Sequence, residues 1–381
     1  MSLFYLATAY NMEGNFEQAE GFAYRFLAIA PDNEAGRKLL AAMKLQQGEY
    51  VESETLIRPV IEKNGEDVNA LNVLASALLK QGKTKEGVDI LAKMAELQPD
   101  SPEAMTKLGA GLLASGDTSG GLERIEAALK LDPSYEQAGL VLVSALIKQK
   151  DFDAAIKVVD EFQQKNPDSA AHHVLRGQVY MAAKRVDDAK AAFEQALVVA
   201  PGDPVVSQNL AFLAMQDKDF DLARSYYLKV LDHHSNYLPA MLKLAALADI
   251  QRDTEEMVKQ LEQAMNTHPK EVQPRVMLAR YYLTQGKPEQ VPILIGGLDP
   301  SLKNQPDVLN VVGLSHLQRK EFLDAKAIFQ KLSTQRRDAP QPHHNMGLSY
   351  LGLGEKAKAE QEFEKALEIS PSYLQPRIEL V

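Results

Sequence analysis

The sequence predicts an all-α fold made of about eleven helix–turn–helix repeats, stacked side by side as a solenoid. Prolines recur at multiples of 34 residues along the chain. Small residues recur in a fixed phase with those prolines, and apolar residues follow helical spacing between them. No stretch alternates apolar and polar residues in the manner that is typical of strands, so a helical array is the expected architecture.

The prolines define where each repeat ends. Seven of them share one phase, namely Pro31, Pro99, Pro133, Pro167, Pro201, Pro269 and Pro371. No insertion interrupts this spacing, which predicts one continuous array over residues 1–381. The predicted repeats are 1–33, 34–67, 68–101, 102–135, 136–169, 170–203, 204–237, 238–271, 272–305, 306–339 and 340–373, followed by a partial helix over 374–381.

The predicted first helix of each repeat contains a small residue in a fixed place. These residues are Ala7, Ala41, Ala75, Gly109, Gly177, Ala211, Ala245, Ala279, Gly313 and Gly347, with Val143 as the exception. Small residues let two helix backbones approach closely, so two packed amphipathic helices are predicted per repeat. The closing turn also starts the next helix: Ser101 can cap it and Pro102 suits its first position.

Two prolines fall inside predicted second helices. Pro292 lies in the second helix of repeat 272–305, just before two glycines. Because a proline inside a helix removes a hydrogen bond at a cost of about 3 kcal/mol, we expect a bent or shortened helix there. Pro59 lies in the second helix of repeat 34–67, so a bend or a shortening is also considered there.

Since one hairpin cannot bury its own apolar face, neighbouring repeats must cover it.

The composition argues against several partners and chemistries. The formal net charge is −10, and no basic face is visible, so nucleic acid is not an expected partner. The chain has no cysteine, which excludes disulfides, thiolate catalysis and cysteine-ligated zinc. No apolar run approaches the roughly 20 residues that span a bilayer, so no membrane span is expected.

Motifs that could support catalysis or cofactor binding are weak. Three histidine pairs occur, namely His172–His173, His233–His234 and His343–His344. Adjacent residues on a helix diverge by about 100°, so structural or solvent-facing roles are expected instead of metal binding. The glycines at 109 and 111 fit a loose dinucleotide motif, but inside a predicted helix and not after a strand. We therefore expect no catalytic residue, no cofactor and no metal.

The repeat resembles the tetratricopeptide repeat (TPR), whose signature is a Leu-Gly pair, a Tyr, an Ala with an aromatic, and an Ala with a closing Pro. Repeat 170–203 matches it through Gly177, Tyr180, Ala189, Phe193, Ala196 and Pro201, and repeat 340–373 matches it through Gly347, Tyr350, Ala359, Phe363, Ala366 and Pro371. The early Trp of the family is absent throughout. The resemblance implies a right-handed superhelical TPR solenoid that serves as a non-catalytic protein–protein interaction scaffold. It leaves the oligomeric state open.

The resemblance also implies where partners bind. In this family the first helices line a concave groove, and the second, fifth, ninth and twelfth residues of each repeat contact ligands. Carried over to this chain, the partner-binding groove comprises Asn72, Ser76, Leu79, Leu113, Ser144, Ile147, Gln178, Met181, Phe212, Met215, Arg280, Leu283 and Asn310. Methionines and aromatics suit adaptable apolar binding, so a protein or peptide partner is expected near Met181, Phe212 and Met215. The alternative is that the twelfth residues mostly pack on the next repeat.

Two stretches, 236–241 and 272–282, are similar to the TPR lipoproteins of bacterial PEP-CTERM/exosortase systems. Those proteins accompany exopolysaccharide production and protein sorting at the Gram-negative envelope. The similarity implies a periplasmic protein that is anchored to the outer membrane through a missing N-terminus. Two alternatives stay open: a recruiting or regulatory TPR arm of a larger enzyme such as a glycosyltransferase, and a cytoplasmic assembly or chaperone adaptor.

Overall fold

The computed structural model describes residues 2–373, and within that range every regular element is a helix. The predicted all-α class is therefore confirmed. The chain divides into two compact units, an N-terminal unit that ends at Val199 and a C-terminal unit that begins at Ala200. One continuous array over 1–381 stays a prediction, and the partial helix predicted over 374–381 lies outside the described residues.

The N-terminal unit contains six helical hairpins. Their helices are α1 (Ser2–Met12), α2 (Phe16–Ile29), α3 (Glu34–Gln47), α4 (Tyr50–Lys63), α5 (Val68–Lys80), α6 (Thr84–Leu97), α7 (Pro102–Ser115), α8 (Thr118–Leu131), α9 (Glu136–Gln149), α10 (Phe152–Lys165), α11 (Ala170–Ala182) and α12 (Val186–Val199). Odd-numbered helices are the first helices of their repeats, and even-numbered helices are the second.

Over its described residues, 200–373, the C-terminal unit contains five further hairpins, whose helices follow the same numbering rule. Its elements are α13 (Pro204–Gln216), α14 (Phe220–His233), α15 (Leu238–Ile250), α16 (Thr254–Thr267), α17 (Gln273–Thr284), α18 (Gln290–Gly296), the 3₁₀ turn Leu302–Asn304, α19 (Pro306–Gln318), α20 (Phe322–Gln335), α21 (Pro340–Gly352) and α22 (Lys356–Ile369).

The closing turns start the next helix as the sequence predicts. The Ser101 hydroxyl accepts a hydrogen bond from the backbone N–H of Ala104 at 3.2 Å, and Pro102 occupies the first turn of α7. Asp203 caps α13 in the same way, since its carboxylate accepts from the N–H groups of Val205 and Val206. Capping oxygens satisfy N–H groups that have no partner within the helix, so these turns fix the helix starts.

Each core is shared between one hairpin and the first helix of the next. In the N-terminal unit, one buried cluster joins α3, α4 and α5 through Ala41, Ile57, Val60, Ala70, Leu74 and Leu78. In the C-terminal unit, another joins α15, α16 and α17 through Ala245, Ala248, Met257, Leu261 and Leu278. Within each unit, therefore, neighbouring repeats bury the apolar face that a single hairpin leaves uncovered.

The second helix of repeat 272–305 is shortened, which confirms the prediction from Pro292. This helix, α18, has seven residues and contains Pro292, whereas α4 keeps its full fourteen residues despite Pro59. After α18 the chain continues through Gly297 and the 3₁₀ turn. Leu298, which is 3% exposed, packs with Val291 and Ile295, so residues after the helix complete the core.

Candidate binding groove

A trough runs over the first helices α5, α7 and α9 of the N-terminal unit. It consists of three adjoining concavities of about 280, 430 and 540 Å³. The first two share Ala110 and Ala114, and the last two share Val141 and Ser144. We call this surface the α5–α9 trough and define it by Asn72, Ser76, Leu79, Thr84, Leu91, Lys107, Ala110, Gly111, Leu113, Ala114, Thr118, Glu136, Gln137, Leu140, Val141, Ser144, Ala145, Lys148 and Gln149.

Small side chains on α7 form the middle of the trough. Ala110, Gly111 and Ala114 lie there, where longer side chains would occupy the concavity. Gly111 also packs closely on the second helix behind it, since a Cβ at this position would lie 2.7 Å from Leu91 Cδ1. The small residues therefore both seat α7 on its neighbour and leave room for a ligand above it.

Larger apolar side chains flank this middle section. Leu79 and Leu113 are half-buried, and Leu140 on α9 is 50% exposed. An exposed leucine beside a concave surface offers apolar area that a partner side chain can cover. The trough is thus suited to bind apolar groups.

Polar groups lie along the edges of the trough. The Lys107 ammonium donates to Asn72 Oδ1 at 2.8 Å and to Glu103 Oε1 at 2.6 Å. Glu136 Oε1 lies 3.3 Å from His172 Nε2. Within residues 2–373, the amine of Lys148 has no carboxylate within 4.0 Å, so it is the cation at this edge that can pair with a ligand.

The structure brings five of the predicted groove residues into this trough, namely Asn72, Ser76, Leu79, Leu113 and Ser144. Ile147 is half-buried on α9, outside the lining of the three concavities. On α11, Gln178 is exposed and Met181 is half-buried. The predicted cluster of Met181 with Phe212 and Met215 spans both compact units and stays a prediction.

The remaining predicted residues lie in the C-terminal unit. Phe212 is 50% exposed and Met215 half-buried on α13, and Asn310 is half-buried on α19. Arg280 is exposed, with its guanidinium 4.0 Å from Asp307. The assignment of Leu283 to the groove is wrong. Leu283 is 6% exposed and packs with Val291 and Ile295, so it belongs to the core. Val291 and Ile295, which cover Leu283, both belong to the shortened α18.

Comparison with known families settles what kind of repeat this is. Family models described as tetratricopeptide repeat match residues 40–102, 112–179, 174–237 and 340–373, which together take in more than half of the chain. This chain is a tetratricopeptide repeat protein. The narrower similarity to the PEP-CTERM/exosortase lipoproteins stays a prediction.

This TPR protein is similar to one curated protein and to several solved structures. Cellulose synthase operon protein C from Pseudomonas fluorescens (strain SBW25) is 29% identical over 165 residues, which cover 40% of this chain and 13% of that protein's length. MamA (41-end) from Desulfovibrio magneticus RS-1 is 21% identical, covering 45% of this chain and 96% of its own, with a TM-score of 0.36. The C-terminal part of a TPR repeat-containing protein from Cytophaga hutchinsonii is 17% identical, covering 61% and 96%, with a TM-score of 0.42.

Histidines of two of the pairs make local contacts of their own. His172 lies against the Phe162 ring, at 5.9 Å between centroids, besides its contact with Glu136. Burial lowers the pKa of its neighbour His173, and the nearby positive charge of Arg176 acts in the same direction. His343 Nδ1 lies 2.7 Å from a Glu362 carboxylate oxygen.

Sequence reasoning missed one convergence of possible ligand atoms. His316, Glu321 and Asp324 bring their nitrogen and oxygen atoms within 4.8 Å of one another. Arg319 already pairs with Glu321 at 2.8 Å, and Glu321 and Asp324 lie at the positive start of α20, where carboxylates stabilise the helix. The arrangement is therefore accounted for by local ion pairing.

Within residues 2–373, no helix combines the length and the apolar character needed to cross a bilayer.

Buried charges connect the first three repeats. The Lys44 side chain is 5% exposed, and its ammonium lies 2.6 Å from Glu20 and 2.7 Å from Glu49. Burial alone would lower the pKa of Lys44, but the hydrogen bonds to Glu20 and Glu49 outweigh it and raise that pKa. Burial would likewise raise the pKa of Glu54, yet hydrogen bonds from Lys83, Gln81 and Arg58 lower it to about 2. Such charges stabilise the folded state only while their partners stay in place.

Proposed function

We propose that this TPR protein is a non-catalytic scaffold that binds a peptide or protein segment in the α5–α9 trough. The observation that supports this most directly is the continuity of three concavities over successive first helices. A concave, largely apolar surface with a few polar groups at its edges is the usual form of a binding site. A partner segment lying along it would contact three repeats in succession.

The chemistry of the trough defines the segment that it would bind. The small residues of α7 leave space for a bulky apolar side chain, which would also cover Leu113 and Leu140. Lys148 at the edge favours an acidic group next to that apolar side chain, since its own charge is unpaired within residues 2–373. An apolar anchor with an acidic neighbour is therefore the proposed recognition element.

We further propose that the scaffold acts in exopolysaccharide production at the bacterial envelope, on the periplasmic side. The name of the relative from Pseudomonas fluorescens, cellulose synthase operon protein C, supports this setting. The matched region is 13% of that protein's length, so the support concerns its repeat region only. Fractionation of cells that express the complete native gene with a C-terminal tag would test the compartment: recovery in the cytosolic fraction would contradict the proposal.

The trough can be tested by filling it. Ala114→Phe places a phenyl ring where the first two concavities meet, on an exposed position that tolerates the added volume. Ala191→Phe makes the same substitution at an exposed position of the second helix α12 and serves as the matched control. Tagged wild-type and variant proteins would be used to capture partners from envelope and soluble fractions, with helicity checked by circular dichroism.

The two variants should behave differently. We expect wild type and Ala191→Phe to retain the same partner, with Ala114→Phe losing it while keeping wild-type helicity. Equal capture by all three proteins would show that binding occurs elsewhere, and the proposed trough would be wrong.

A further inference from the structure

Arg275 on α17 is a buried cation with almost no partners. It is 9% exposed, and its guanidinium makes one hydrogen bond, from Nη1 to the carbonyl oxygen of Pro269 at 3.2 Å. Its Nε–H is buried and has no acceptor among the described residues. Within residues 2–373, no carboxylate oxygen lies within 4.0 Å of this guanidinium. A guanidinium has five N–H donors, and burying a charge without a partner is costly.

An earlier repeat shows the same arginine with its charge balanced. Arg37 stands 238 residues before Arg275, which is seven repeats, and its Nε donates to the carbonyl oxygen of Pro31 at 2.7 Å. The two arginines thus hold the same backbone contact to the closing proline. Arg37 also has a carboxylate close by, since Asp32, whose side chain is 97% exposed, lies 3.9 Å from its guanidinium. In the later repeat the place of Asp32 is taken by Lys270.

The rest of the surroundings has changed in the same direction. In the earlier repeat, Arg37 lines a concavity with Asp32, Glu34, Pro59, Val60 and Lys63, in which Glu34 and Lys63 form an ion pair of 2.7 Å. The corresponding positions of the later repeat are Lys270 for Asp32, Val272 for Glu34, Gly297 for Pro59, Leu298 for Val60 and Ser301 for Lys63. Both of these carboxylates have been lost, whereas the arginine has been kept. Glu271 stands in the place of Asn33, but within residues 2–373 it does not come within 4.0 Å of the Arg275 guanidinium.

The turn after α18 places Gly297, which has no side chain, beside this guanidinium. A Cβ on Gly297 would lie 3.9 Å from Arg275 Nη2, which is ordinary contact distance, and a Cβ on Gly296 would meet nothing within 4 Å. Lys303 donates to the carbonyl oxygen of Gly296 at 3.1 Å, which brings a second cation to this turn. The nearby carboxylate of Asp299 accepts hydrogen bonds from the N–H and the hydroxyl of Ser301.

We propose that Arg275, together with Lys270, binds an oxyanion at the closing turn before α17. Planar guanidinium groups match the paired oxygens of carboxylate and phosphate, and Lys270 adds a second positive charge at the place of the lost carboxylate. The bound oxyanion supplies the negative charge that Asp32 supplies to Arg37. This site is separate from the α5–α9 trough, so it stands or falls independently of the proposed function.

The test uses inorganic phosphate as the probe, with acetate as a carboxylate and chloride as the control, all at equal ionic strength. Thermal unfolding of the full chain would be measured for wild type, for Lys270→Asp and for Arg37→Met, together with the Nε–H resonance of Arg275 in ¹⁵N-arginine-labelled protein. Lys270→Asp gives Arg275 a carboxylate of the chain itself, at the position equivalent to Asp32. Because residue 270 is exposed, this variant is expected to fold. Arg37→Met removes the balanced arginine and is the matched control.

We expect phosphate to raise the melting temperature of wild type by about 2–4 °C over chloride and to shift the Arg275 resonance. Lys270→Asp should lose this response and melt higher than wild type in chloride, whereas Arg37→Met should keep the response. A response to acetate as well assigns the site to carboxylates of a partner in addition to phosphate groups. A wild type that responds to phosphate no more than to chloride, or an undiminished response in Lys270→Asp, would overturn the proposal.

Discussion

Replacing Gly177 with alanine should destabilise the protein, because Gly177 in α11 faces the ring of Phe193 in α12. A Cβ at this position would lie 2.5 Å from Phe193 Cε1, closer than real side chains approach, and Phe193 is fully buried. Forcing extra volume into a packed core costs about 1–3 kcal/mol, whereas alanine gains about 0.5–1 kcal/mol over glycine inside a helix. The difference between these ranges is about 0–2.5 kcal/mol, and because an approach of 2.5 Å is far inside contact distance, we expect a loss in the upper half, roughly 1–2.5 kcal/mol of unfolding free energy.

The matched control is Gly21→Ala in α2. A Cβ on Gly21 would meet nothing within 4 Å, so only the helix-propensity gain remains and this variant should be stabilised by about 0.5–1 kcal/mol. The two variants make the same chemical change within helices. Urea unfolding of both, followed by far-ultraviolet circular dichroism, measures the difference directly.

A second substitution tests the reason for the loss. In the third repeat the corresponding pair is Ala75 with Leu91, a larger first-helix residue facing a smaller second-helix one. Gly177→Ala combined with Phe193→Leu recreates that pair, so the double variant should be more stable than the sum of the single effects by about 1 kcal/mol. If Gly177→Ala is as stable as wild type, or if the two effects simply add, the proposed contact does not limit the packing.

Two further predictions concern charge and backbone conformation. The pKa of Glu54 is lowered from 4.5 to about 2 in the folded protein, so the carboxylate stabilises the fold above its unfolded pKa and loses that effect as the pH falls through 4.5 toward 2. In urea unfolding at several pH values, the stability advantage of wild type over Glu54→Gln should therefore be full at neutral pH and shrink in that acidic window; a difference that does not depend on pH would contradict it. Lys150 holds a left-handed φ of 64° at a turn where other repeats place glycine, as at Gly116, so Lys150→Gly should raise the unfolding free energy by about 0.5–1 kcal/mol. A lower unfolding free energy for Lys150→Gly, or an unchanged one for the reverse substitution Gly116→Lys, would show that lysine is not strained at this turn.

The spacing of prolines and small residues was sufficient to predict the helical hairpins. The helix starts follow the 34-residue interval, as at Glu34, Val68 and Pro102. Pro292 indicated the shortened α18, yet Pro59 did not shorten α4, so proline alone does not decide the length; α18 holds Pro292 in its first turn and ends at Gly296, before Gly297. Repeating local rules are what a single sequence displays most clearly.

The details of the groove could be predicted only in part. Leu79 and Leu113 line the trough, yet Leu283, at the same place in its own repeat, is buried in the core with Val291 and Ile295. The burial of Lys44 depends on Glu20 in the preceding repeat, which no local pattern links to it. The sequence alone does not show that Arg275 is buried or that its Nε–H has no acceptor among the described residues. Tertiary contacts decide these properties.

Photo-crosslinking from the trough tests the proposed function most directly. Because the chain has no cysteine, a single cysteine can carry a benzophenone label at Ser144 in the trough, or at Ala191 on α12 as the control. We predict that the label at position 144 joins the chain to its captured partner and that the label at position 191 does not. Crosslinking from position 191 alone would contradict binding through the α5–α9 trough.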